Sequence, residues 1–536
     1  MHLEELVGER LVIGIPGAGV TPEIVRHFQE LRAGGLILYR INFENPRQLQ
    51  RLITDLEEAL GRRLLLAADH EGGRVIMFRE GVTVFPDNLA AGEAGKIGYA
   101  GKQGEIEARE LRRLGLDVNL GPVLDVLTDA YSPNIGIRSY GKDWRLVAEM
   151  GAARISAMQQ HGLSACAKHF PGKGHAPVDA HLGLPVIPST WKEMEETHLQ
   201  PFIRALAAGV DLVMSSHPYY PQLDAGPGMI ATFSRRIIYD YLRKELNFQG
   251  VIASDDLEMG AIKAICPIGE AGIAAAAAGH DLLLVCHDLQ AQKEVFYKLL
   301  DAYRCGRLPI KELEESTARI RDLKAKRDQR FAPGEPLPEK EGALLAATIC
   351  RESVQVLKDG KKLLPLAAPF LRGGPPGPSP GARGRGCAQA TGDFSPGEQG
   401  GKGIGVIFPR FSSLDAKIMI EKEVLQEEEF VRKEFQKFGL APEILIVPID
   451  PGPEDIQEAL NLARSSDLTI FFCYDAHLYP GDRKLLDALQ EAAGDLVAVL
   501  LRDPYDLDYV QEGVACVTAF GWRACQIRAA VARICS

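Results

Sequence analysis

The sequence predicts an α/β protein with an N-terminal (β/α)8 TIM-type barrel followed by a smaller α/β sandwich domain with a parallel sheet. Three observations support this prediction. Short apolar runs alternate with amphipathic stretches, polar residues follow the apolar runs, and a second set of apolar runs occupies the last third of the chain. A chain of 536 residues is long enough for two or three domains.

Eight apolar runs in the first part of the chain predict the strands of the barrel. Strands that alternate with helices pair in parallel, and each crossover helix covers the sheet. Eight such units are typical of a closed barrel, although a doubly wound open sheet has the same alternation. The eight runs are Leu11–Ile15, Gly35–Leu38, Leu64–Ala68, Val118–Leu120, Ser164–Ala167, Asp211–Met214, Val251–Ala253 and Leu282–Val285.

Amphipathic stretches between these runs predict the covering helices. Residues Ile310–Arg330 are highly charged but keep a helical pattern, so they predict a closing helix. We therefore place the barrel at residues 1–330 and a linker at 331–345. The clearest of the other helical stretches are Pro46–Leu60, Ala100–Leu114, Trp144–His161, Trp191–Ala208 and Ser234–Leu246.

The second region, residues 346–536, contains six further apolar runs, which predict the smaller parallel sheet. Helical patterns such as Ile456–Ala463 separate some of them. Residues 371–403 are rich in Gly, Pro and Arg and cannot bury enough apolar surface to offset the ordering entropy, so they predict a disordered loop. The six runs are Val354–Leu357, Ile404–Phe408, Ile444–Val447, Leu468–Phe472, Leu496–Leu501 and Val514–Ala519.

Composition excludes several classes of function. The net charge of −11 argues against nucleic-acid binding, which requires a basic face. No run of about 18 apolar residues occurs, so we expect no membrane span. The acidic N-terminus lacks the basic start and apolar core of a secretory signal. The ten cysteines form no CxxC pair and are typical of reduced thiols, so we expect a cytoplasmic location.

Polar residues gather where the predicted strands end. Active sites of (β/α)8 barrels lie at the carboxyl ends of the strands, and a purely structural barrel has no need of repeated charges there. We therefore expect these side chains to bind a polar ligand. From the third run to the seventh, the candidates are Asp69, Arg138, Lys168, His169, His217 and Asp255.

The segment Lys168–Pro185 contains three histidines, two lysines, one aspartate and three glycines directly after an apolar run. Asp179 and His181 stand two apart, the spacing of a carboxylate that orients an imidazole, so the pair can shuttle a proton near neutral pH. Zinc motifs such as HExxH are absent, so we expect no metal and no cofactor. The GxSxG elbow of serine hydrolases and the phosphate-binding P-loop are absent too.

Two adjacent aspartates, Asp255 and Asp256, follow the seventh run. Because like charges repel, at least one of them is expected to face a positive group or a hydrogen-bond donor. Asp255 suits a nucleophile or general base at the barrel mouth, whereas Asp256 suits the cap of a following helix. For Asp69, a ligand-binding role and a structural turn with an Asp69–Arg74 ion pair both stay open.

Four motifs in this order resemble glycoside hydrolase family 3, and most closely its bacterial β-N-acetylhexosaminidase branch. They are AADHEGGRV, NIGIRSYG, KHFPGKGHAPVDAHLGLP and GVIASDDLEMG, within residues 5–330. The resemblance implies a two-domain, retaining enzyme whose partner is a carbohydrate. It implies removal of terminal N-acetylglucosamine from glycosides such as peptidoglycan fragments, and hence a role in peptidoglycan recycling.

The resemblance also implies roles for individual residues. Asp255 matches the catalytic nucleophile, while Asp179 and His181 match the pair in which the histidine is the acid/base. Lys173 and His175 stand where the branch commonly has histidine and aspartate, and we interpret them as peripheral. The residues that match those holding the terminal sugar are Asp69, Arg138, Lys168 and His169.

Three alternative functions stay open. A β-glucosidase or β-xylosidase belongs to the same family, but those branches generally lack the Asp-His pair. An N-acetylglucosaminide phosphorylase is the second alternative, because a histidine acid leaves less negative charge facing an anionic acceptor. The third is a non-catalytic carbohydrate-binding protein, which would tolerate loss of the nucleophile or of the pair, and both are present here.

Overall fold

The chain folds into two compact units, each built from more than one stretch of sequence. The computed structural model describes residues 2–129, 132–176, 184–226, 228–330, 340–366, 403–415 and 418–536. The first unit consists of Met1–Ser353 together with two short segments, Ala416–Glu421 and Phe520–Gln526. The second unit consists of Val354–Asp415, Lys422–Ala519 and Ile527–Ser536.

The first unit contains a closed barrel of eight parallel strands. The strands follow one another around the ring in chain order, and β1 pairs with both β2 and β8. A parallel bridge between Ala253 and Leu282 joins the two ends, so the barrel is confirmed over an open sheet. The strands are β1 Leu11–Ile13, β2 Gly35–Ile37, β3 Leu65–Ala68, β4 Val118–Asn119, β5 Ser164–Phe170, β6 Leu212–Ser215, β7 Val251–Ala253 and β8 Leu283–Val285.

Helices separate most of these strands. The predicted closing helix is present at Ile310–Arg330, whereas the predicted Trp191–Ala208 helix is divided by a π-helical turn, Met194–His198. A second π-helical segment is Arg236–Glu245, and short 3₁₀ turns lie at Arg40–Asn42, Gly136–Arg138 and Ala231–Phe233. The α-helices are Leu3–Glu9, Pro22–Leu31, Pro46–Leu60, Asn88–Ala94, Ile97–Leu114, Trp144–Gln160, Trp191–Glu193, Gln200–Ala207, Gly260–Lys263, Ile268–Ala278, Leu289–Arg304, Ile310–Arg330 and Glu341–Ser353.

Alternate residues of the strands build two apolar layers. In β1, Val12 belongs to the cluster inside the barrel, while Leu11 and Ile13 pack with the surrounding helices. This is the period of two that strand geometry imposes. Ile320 and Leu323 of the closing helix join the inner cluster. The barrel interior is therefore a packed core that holds the strand ends in fixed positions.

The second unit contains a six-stranded sheet. Its order is β11-β10-β12-β13-β14-β9, and all pairs are parallel except β14 with the edge strand β9. The strands are β9 Gln355–Lys358, β10 Ile404–Pro409, β11 Glu443–Val447, β12 Leu468–Cys473, β13 Asp495–Leu500 and β14 Ala515–Thr518. The α-helices after β9 are Glu427–Gln436, Pro453–Ser465, Pro480–Ala492 and Ala524–Cys535, with 3₁₀ turns at Phe411–Leu414 and Pro504–Tyr509.

The boundaries predicted at 1–330, 331–345 and 346–536 stay predictions. Residues 331–339 of the predicted linker lie outside the described residues, as does the predicted low-complexity loop 371–403 apart from Gly403. Within the described part of the chain, no helix is long and apolar enough to cross a membrane. Cys166, Cys286 and Cys473 are buried and free.

Candidate active site

A cavity of about 550 Å³ opens among side chains at the carboxyl ends of the barrel strands and in the loops that follow them. Parallel packing brings the carboxyl ends of β3, β5 and β7 to one end of the barrel, where active sites of this fold lie. The cavity is lined by both carboxylates and cations. Its charged residues are Asp69, Glu71, Arg74, Arg138, Lys168, Lys173, Asp255, Asp256, Glu258 and Lys263.

Four charged side chains form a connected network on one side of the cavity. The Lys168 ammonium lies 2.6 Å from Asp69 Oδ1 and 2.6 Å from Glu71 Oε1. Arg138 donates from Nε and Nη2 to the two oxygens of Glu71, each at 2.8 Å. A bidentate pair of this kind fixes the guanidinium plane as well as its position. The network therefore holds Lys168 and Arg138 rigidly at the cavity wall.

The network also sets the charge states of its carboxyls. Burial works against ionisation of Glu71, but the charges of Arg138 and Lys168 hold its pKa far below its usual range. Burial raises the pKa of Asp69, which has Lys168 as its nearest cation. Glu71 is thus the firm anchor of the network. Asp69, with its side chain 21% exposed, is the carboxyl that a ligand hydroxyl can reach.

His169 and the backbone of Lys173 meet at a buried carboxyl, Asp125. His169 Nδ1 lies 2.7 Å from Asp125 Oδ2, and the Lys173 N–H donates to Asp125 Oδ1 at 2.6 Å. Burial, with Lys173 and Arg138 close by, lowers the pKa of His169 well below its usual value, so its imidazole is neutral. A neutral ring that donates from Nδ1 leaves Nε2 as an acceptor, 3.4 Å from Arg138 Nη2.

Asp255 follows β7 and faces a cation. Its Oδ2 lies 3.7 Å from the Lys173 ammonium, and its Oδ1 accepts the N–H of Asp256 at 2.9 Å. Burial alone would raise the pKa of Asp255, but the charges of Lys173 and His217 outweigh it, and the pKa lies below its usual value. The positive group expected beside the Asp255–Asp256 pair is therefore Lys173, and Asp255 is an ionised carboxylate available for attack.

Asp256 has a different environment from its neighbour. Its Oδ1 accepts the N–H groups of Glu258 at 3.1 Å and Cys286 at 3.3 Å. Burial raises its pKa to about 7. It binds backbone as a capping residue would, although the next helix begins only at Gly260. The two adjacent aspartates thus differ in charge at neutral pH, and Asp255 is the more strongly ionised.

His217, a predicted substrate-binding residue, is buried between protein groups. Its Nδ1 lies 2.8 Å from Thr232 Oγ1, and its Nε2 lies 2.9 Å from the carbonyl oxygen of Asp256. A carbonyl only accepts, so Nε2 carries the proton. In this arrangement His217 holds the Asp255–Asp256 turn. A sugar-binding role for it stays a prediction.

The structure leaves the predicted acid/base pair undescribed. Asp179 and His181 fall within residues 177–183, which lie outside the described residues. The described start of the same segment contains Lys168, His169 and Lys173, all at the cavity.

Sequence reasoning was wrong about Lys173. It is 3% exposed and contacts the candidate nucleophile, whereas the sequence interpretation made it peripheral. Glu71 and Asp125, which orient the sugar-binding candidates, were not singled out. Glu71 had a signal, because it lies in the same DHEGG motif as Asp69. Asp125 had none, because only the fold brings it to His169.

The strand ends of this closed parallel barrel carry an ionised carboxylate and a network of lysine, arginine and carboxylates. Active sites of barrel enzymes lie at this end of the fold. Residues 3–323 match the family described as glycosyl hydrolase family 3 N-terminal domain. This is more than half of the chain, so the protein belongs to glycosyl hydrolase family 3. The sequence prediction of a glycoside hydrolase acting on a carbohydrate is thereby confirmed.

Bacterial relatives agree with this assignment. A protein of Methylobacillus flagellatus named Beta-hexosaminidase is 34% identical over 298 residues, which are 54% of this chain and 83% of that protein. A protein of Haemophilus influenzae with the same name is 35% identical over 296 residues, 54% of this chain and 82% of that protein.

Solved structures give the same family. A glycoside hydrolase family 3 beta-N-acetylglucosaminidase from Paenibacillus sp. str. FPU-7 superposes with a TM-score of 0.86 and 27% identity, covering 100% of this chain and 97% of that one. NagZ from Neisseria gonorrhoeae, in complex with N-trifluoroacetyl-D-glucosamine, has a TM-score of 0.52 and 29% identity. It covers 64% of this chain and 98% of that one.

Proposed function

We propose that this protein is a retaining, exo-acting β-N-acetylglucosaminidase that hydrolyses terminal N-acetylglucosamine from glycosides such as peptidoglycan fragments. The observation that carries the proposal is the ionised Asp255 beside Lys173, in one cavity with the Asp69–Lys168–Glu71–Arg138 network. The names of the bacterial relatives and of the Paenibacillus structure support the choice of N-acetylglucosamine. The free cysteines of the described chain support a proposed cytoplasmic location.

The reaction has two steps in this proposal. Asp255 attacks the anomeric carbon, the bond to the leaving oxygen breaks, and His181 gives its proton to that oxygen. The product is a covalent glycosyl-enzyme ester on Asp255. In the second step His181 takes a proton from water, the water oxygen attacks the anomeric carbon, and the ester bond breaks to release Asp255. Asp179 orients His181 and stabilises its protonated form.

The cationic network binds the sugar in this proposal. Lys168 and Arg138 donate to hydroxyl or carbonyl oxygens, while Asp69 accepts from hydroxyl groups. Neutral His169 offers Nε2 as an acceptor without bringing a further charge beside Asp255. Glu71 already holds the side chains of Lys168 and Arg138 in place. Sugar binding therefore costs little side-chain entropy at these two residues.

The test is turnover of 4-nitrophenyl N-acetyl-β-glucosaminide by the full chain and by Asp255→Asn. We expect the substitution to lower kcat by about 10³-fold or more, since the amide cannot form the ester. Asp256→Asn is the matched control. Its carboxyl binds backbone and has a raised pKa, so a much smaller loss is expected. Turnover by Asp255→Asn close to that of the unsubstituted protein would refute the nucleophile assignment.

Substrate and acceptor are tested in the same assay. We expect the N-acetylglucosaminide to be turned over faster than the matching glucoside and xyloside, and N-acetylglucosamine to be the product with or without phosphate. Formation of the sugar 1-phosphate would make the protein a phosphorylase. Sugar binding without turnover of any aryl glycoside would make it a binding protein.

A further inference from the structure

The loop Asp69–Val75 carries two carboxylates of the charged network, and its backbone is held by two buried arginines. Arg154 Nη2 donates to the carbonyl oxygen of Glu71 at 2.6 Å, and Arg523 Nε donates to that of Gly73 at 2.6 Å. Both arginines have 0% exposure. Arg154 comes from a barrel helix, whereas Arg523 comes from the segment Phe520–Gln526 of the first unit.

Arg523 is itself fixed on three sides. Its Nη1 donates to the carbonyl oxygen of Met419 at 2.7 Å and to Glu421 Oε2 at 2.8 Å. The N–H of Ala524 donates to the other oxygen of Glu421 at 3.1 Å. The guanidinium carbon lies 4.2 Å from the ring centre of Trp522. Arginine differs from lysine in its planar guanidinium, which donates to several acceptors in fixed directions. These contacts together fix the position of the Arg523 side chain.

The segment Phe520–Gln526 and the loop Asp69–Val75 are packed closely against the same residue, Asp87. Gly73 has φ +50°, and a Cβ at this position would lie 2.1 Å from Asp87 Cγ. Gly521 has φ +152°, and a Cβ there would lie 2.5 Å from Asp87 Oδ2. Asp87 in turn accepts the N–H of Arg74 at 2.6 Å. Gly73 is required because a Cβ there would overlap Asp87, whereas a Cβ at Gly521 would first meet the side chain of Gln526, 2.2 Å from its Nε2, and then Asp87.

We infer that Arg523 is a positioning residue for the sugar-binding network. It fixes the Gly73 carbonyl, which holds the loop in place, and the loop presents Glu71 two residues earlier. Glu71 sets the positions of Lys168 and Arg138, which are the groups that reach the sugar under the proposed function. A residue near the end of the chain thus completes a site whose other parts all come from the barrel.

The experiment compares the full chain with Arg523→Met and Arg523→Lys on 4-nitrophenyl N-acetyl-β-glucosaminide. Because Lys168 and Arg138 bind the sugar in both the ground and the transition state, their displacement weakens binding uniformly. We expect KM to rise about tenfold in Arg523→Met with kcat within about threefold of the unsubstituted chain. Arg523→Lys keeps the positive charge but not the planar guanidinium. Its KM should lie between that of the unsubstituted chain and that of Arg523→Met.

The matched control is Arg10→Met. Arg10 is 2% exposed and donates to the carbonyl oxygen of Asp281 at 3.1 Å, at the amino end of the barrel. This substitution also removes a buried guanidinium, so we expect it to lower thermal stability and to leave KM unchanged. A fall in stability with unchanged KM in Arg523→Met as well would overturn the inference.

Two further arms keep the inference testable. If Arg523→Met does not fold, Glu421→Gln is tested instead, because it weakens the contact that holds the Arg523 guanidinium. We expect it to raise KM by a smaller factor. An unchanged KM in Glu421→Gln counts against the inference. If the unsubstituted chain does not turn over the N-acetylglucosaminide, the proposed function fails separately. The affinity for N-acetylglucosamine, measured by calorimetry, then replaces KM. Weaker binding in Arg523→Met with unchanged binding in Arg10→Met supports the positioning role, and equal binding in all variants refutes it.

Discussion

At the scale of single residues, the candidate site depends on how Asp255 is kept ionised while it is buried. Burial favours the neutral form, and Lys173, whose ammonium lies 3.7 Å away, favours the charged form. Burial also lowers the pKa of Lys173, so the two groups depend on each other for their charges. A nucleophile with this pairing is ready at neutral pH without a separate base.

Removal of Lys173 should therefore change the pH dependence of the reaction. Lys173→Met removes the largest charge that opposes the burial effect, so the pKa of Asp255 rises and its ionised fraction falls on the acid side. We expect the acid limb of kcat/KM to move to higher pH. Lys263→Met, at an exposed lining position of the cavity, is the control and should not move it. An acid limb that coincides with that of the unsubstituted chain would contradict the argument.

At the scale of elements, the strand ends could be predicted from sequence and the pairs between them could not. A buried run followed by a charged residue marks the carboxyl end of a strand, which is why Asp69, Lys168 and Asp255 were found. Partners from distant loops leave no local pattern. Arg138 binds Glu71, and His169 binds Asp125, only because the closed barrel brings β3, β4 and β5 side by side.

Buried ion pairs at the amino ends of the barrel strands stabilise the fold. The clearest example is the carboxylate of Asp281. It has 0% exposure, and it accepts from Arg243 Nη2 at 2.6 Å, from the N–H of Ile252 at 2.8 Å and from Arg319 Nε at 3.0 Å. Asp281→Asn leaves Arg243 without its charge partner in the interior. We expect a loss of about 3–5 kcal/mol in the free energy of unfolding, with kcat/KM unchanged at 25 °C.

Denaturant unfolding measures this loss against a surface control. Glu312 pairs with Arg235 at 2.9 Å where both side chains are at least 32% exposed, so Glu312→Gln should cost no more than about 1 kcal/mol. If Asp281→Asn and Glu312→Gln lost the same free energy of unfolding, the buried ion pairs would stabilise the fold no more than a surface pair does.

At the scale of the whole molecule, sequence reading treated the domains as consecutive stretches, whereas the first unit is discontinuous. Apolar runs and helical patterns are local signals, so they found the barrel strands and the second sheet. They carry no information about a return of the chain such as Phe520–Gln526, which belongs with the barrel although it follows the last strand of the second sheet. Arg523 was missed for this reason.

This discontinuity should couple loss of activity to unfolding of the second unit. Both Ala416–Glu421 and Phe520–Gln526 are joined by the chain to the second unit, so its unfolding removes the restraint on their ends and on Arg523. Phe471 has 0% exposure in β12, and Phe471→Ala should cost the second unit about 3–5 kcal/mol. Leu478→Ala, at a residue 45% exposed, is the control.

We expect Phe471→Ala to lower the temperature at which hydrolysis is lost, together with the calorimetric transition of the second unit, while Leu478→Ala changes neither. KM measured just below that temperature should rise before kcat falls, because release of Gly73 affects sugar binding first. Activity that persists to the unsubstituted protein's temperature, while a separate transition moves down, would mean that the barrel keeps its site without the returning segment. The Arg523 contact would then be a consequence of folding and not a condition for binding.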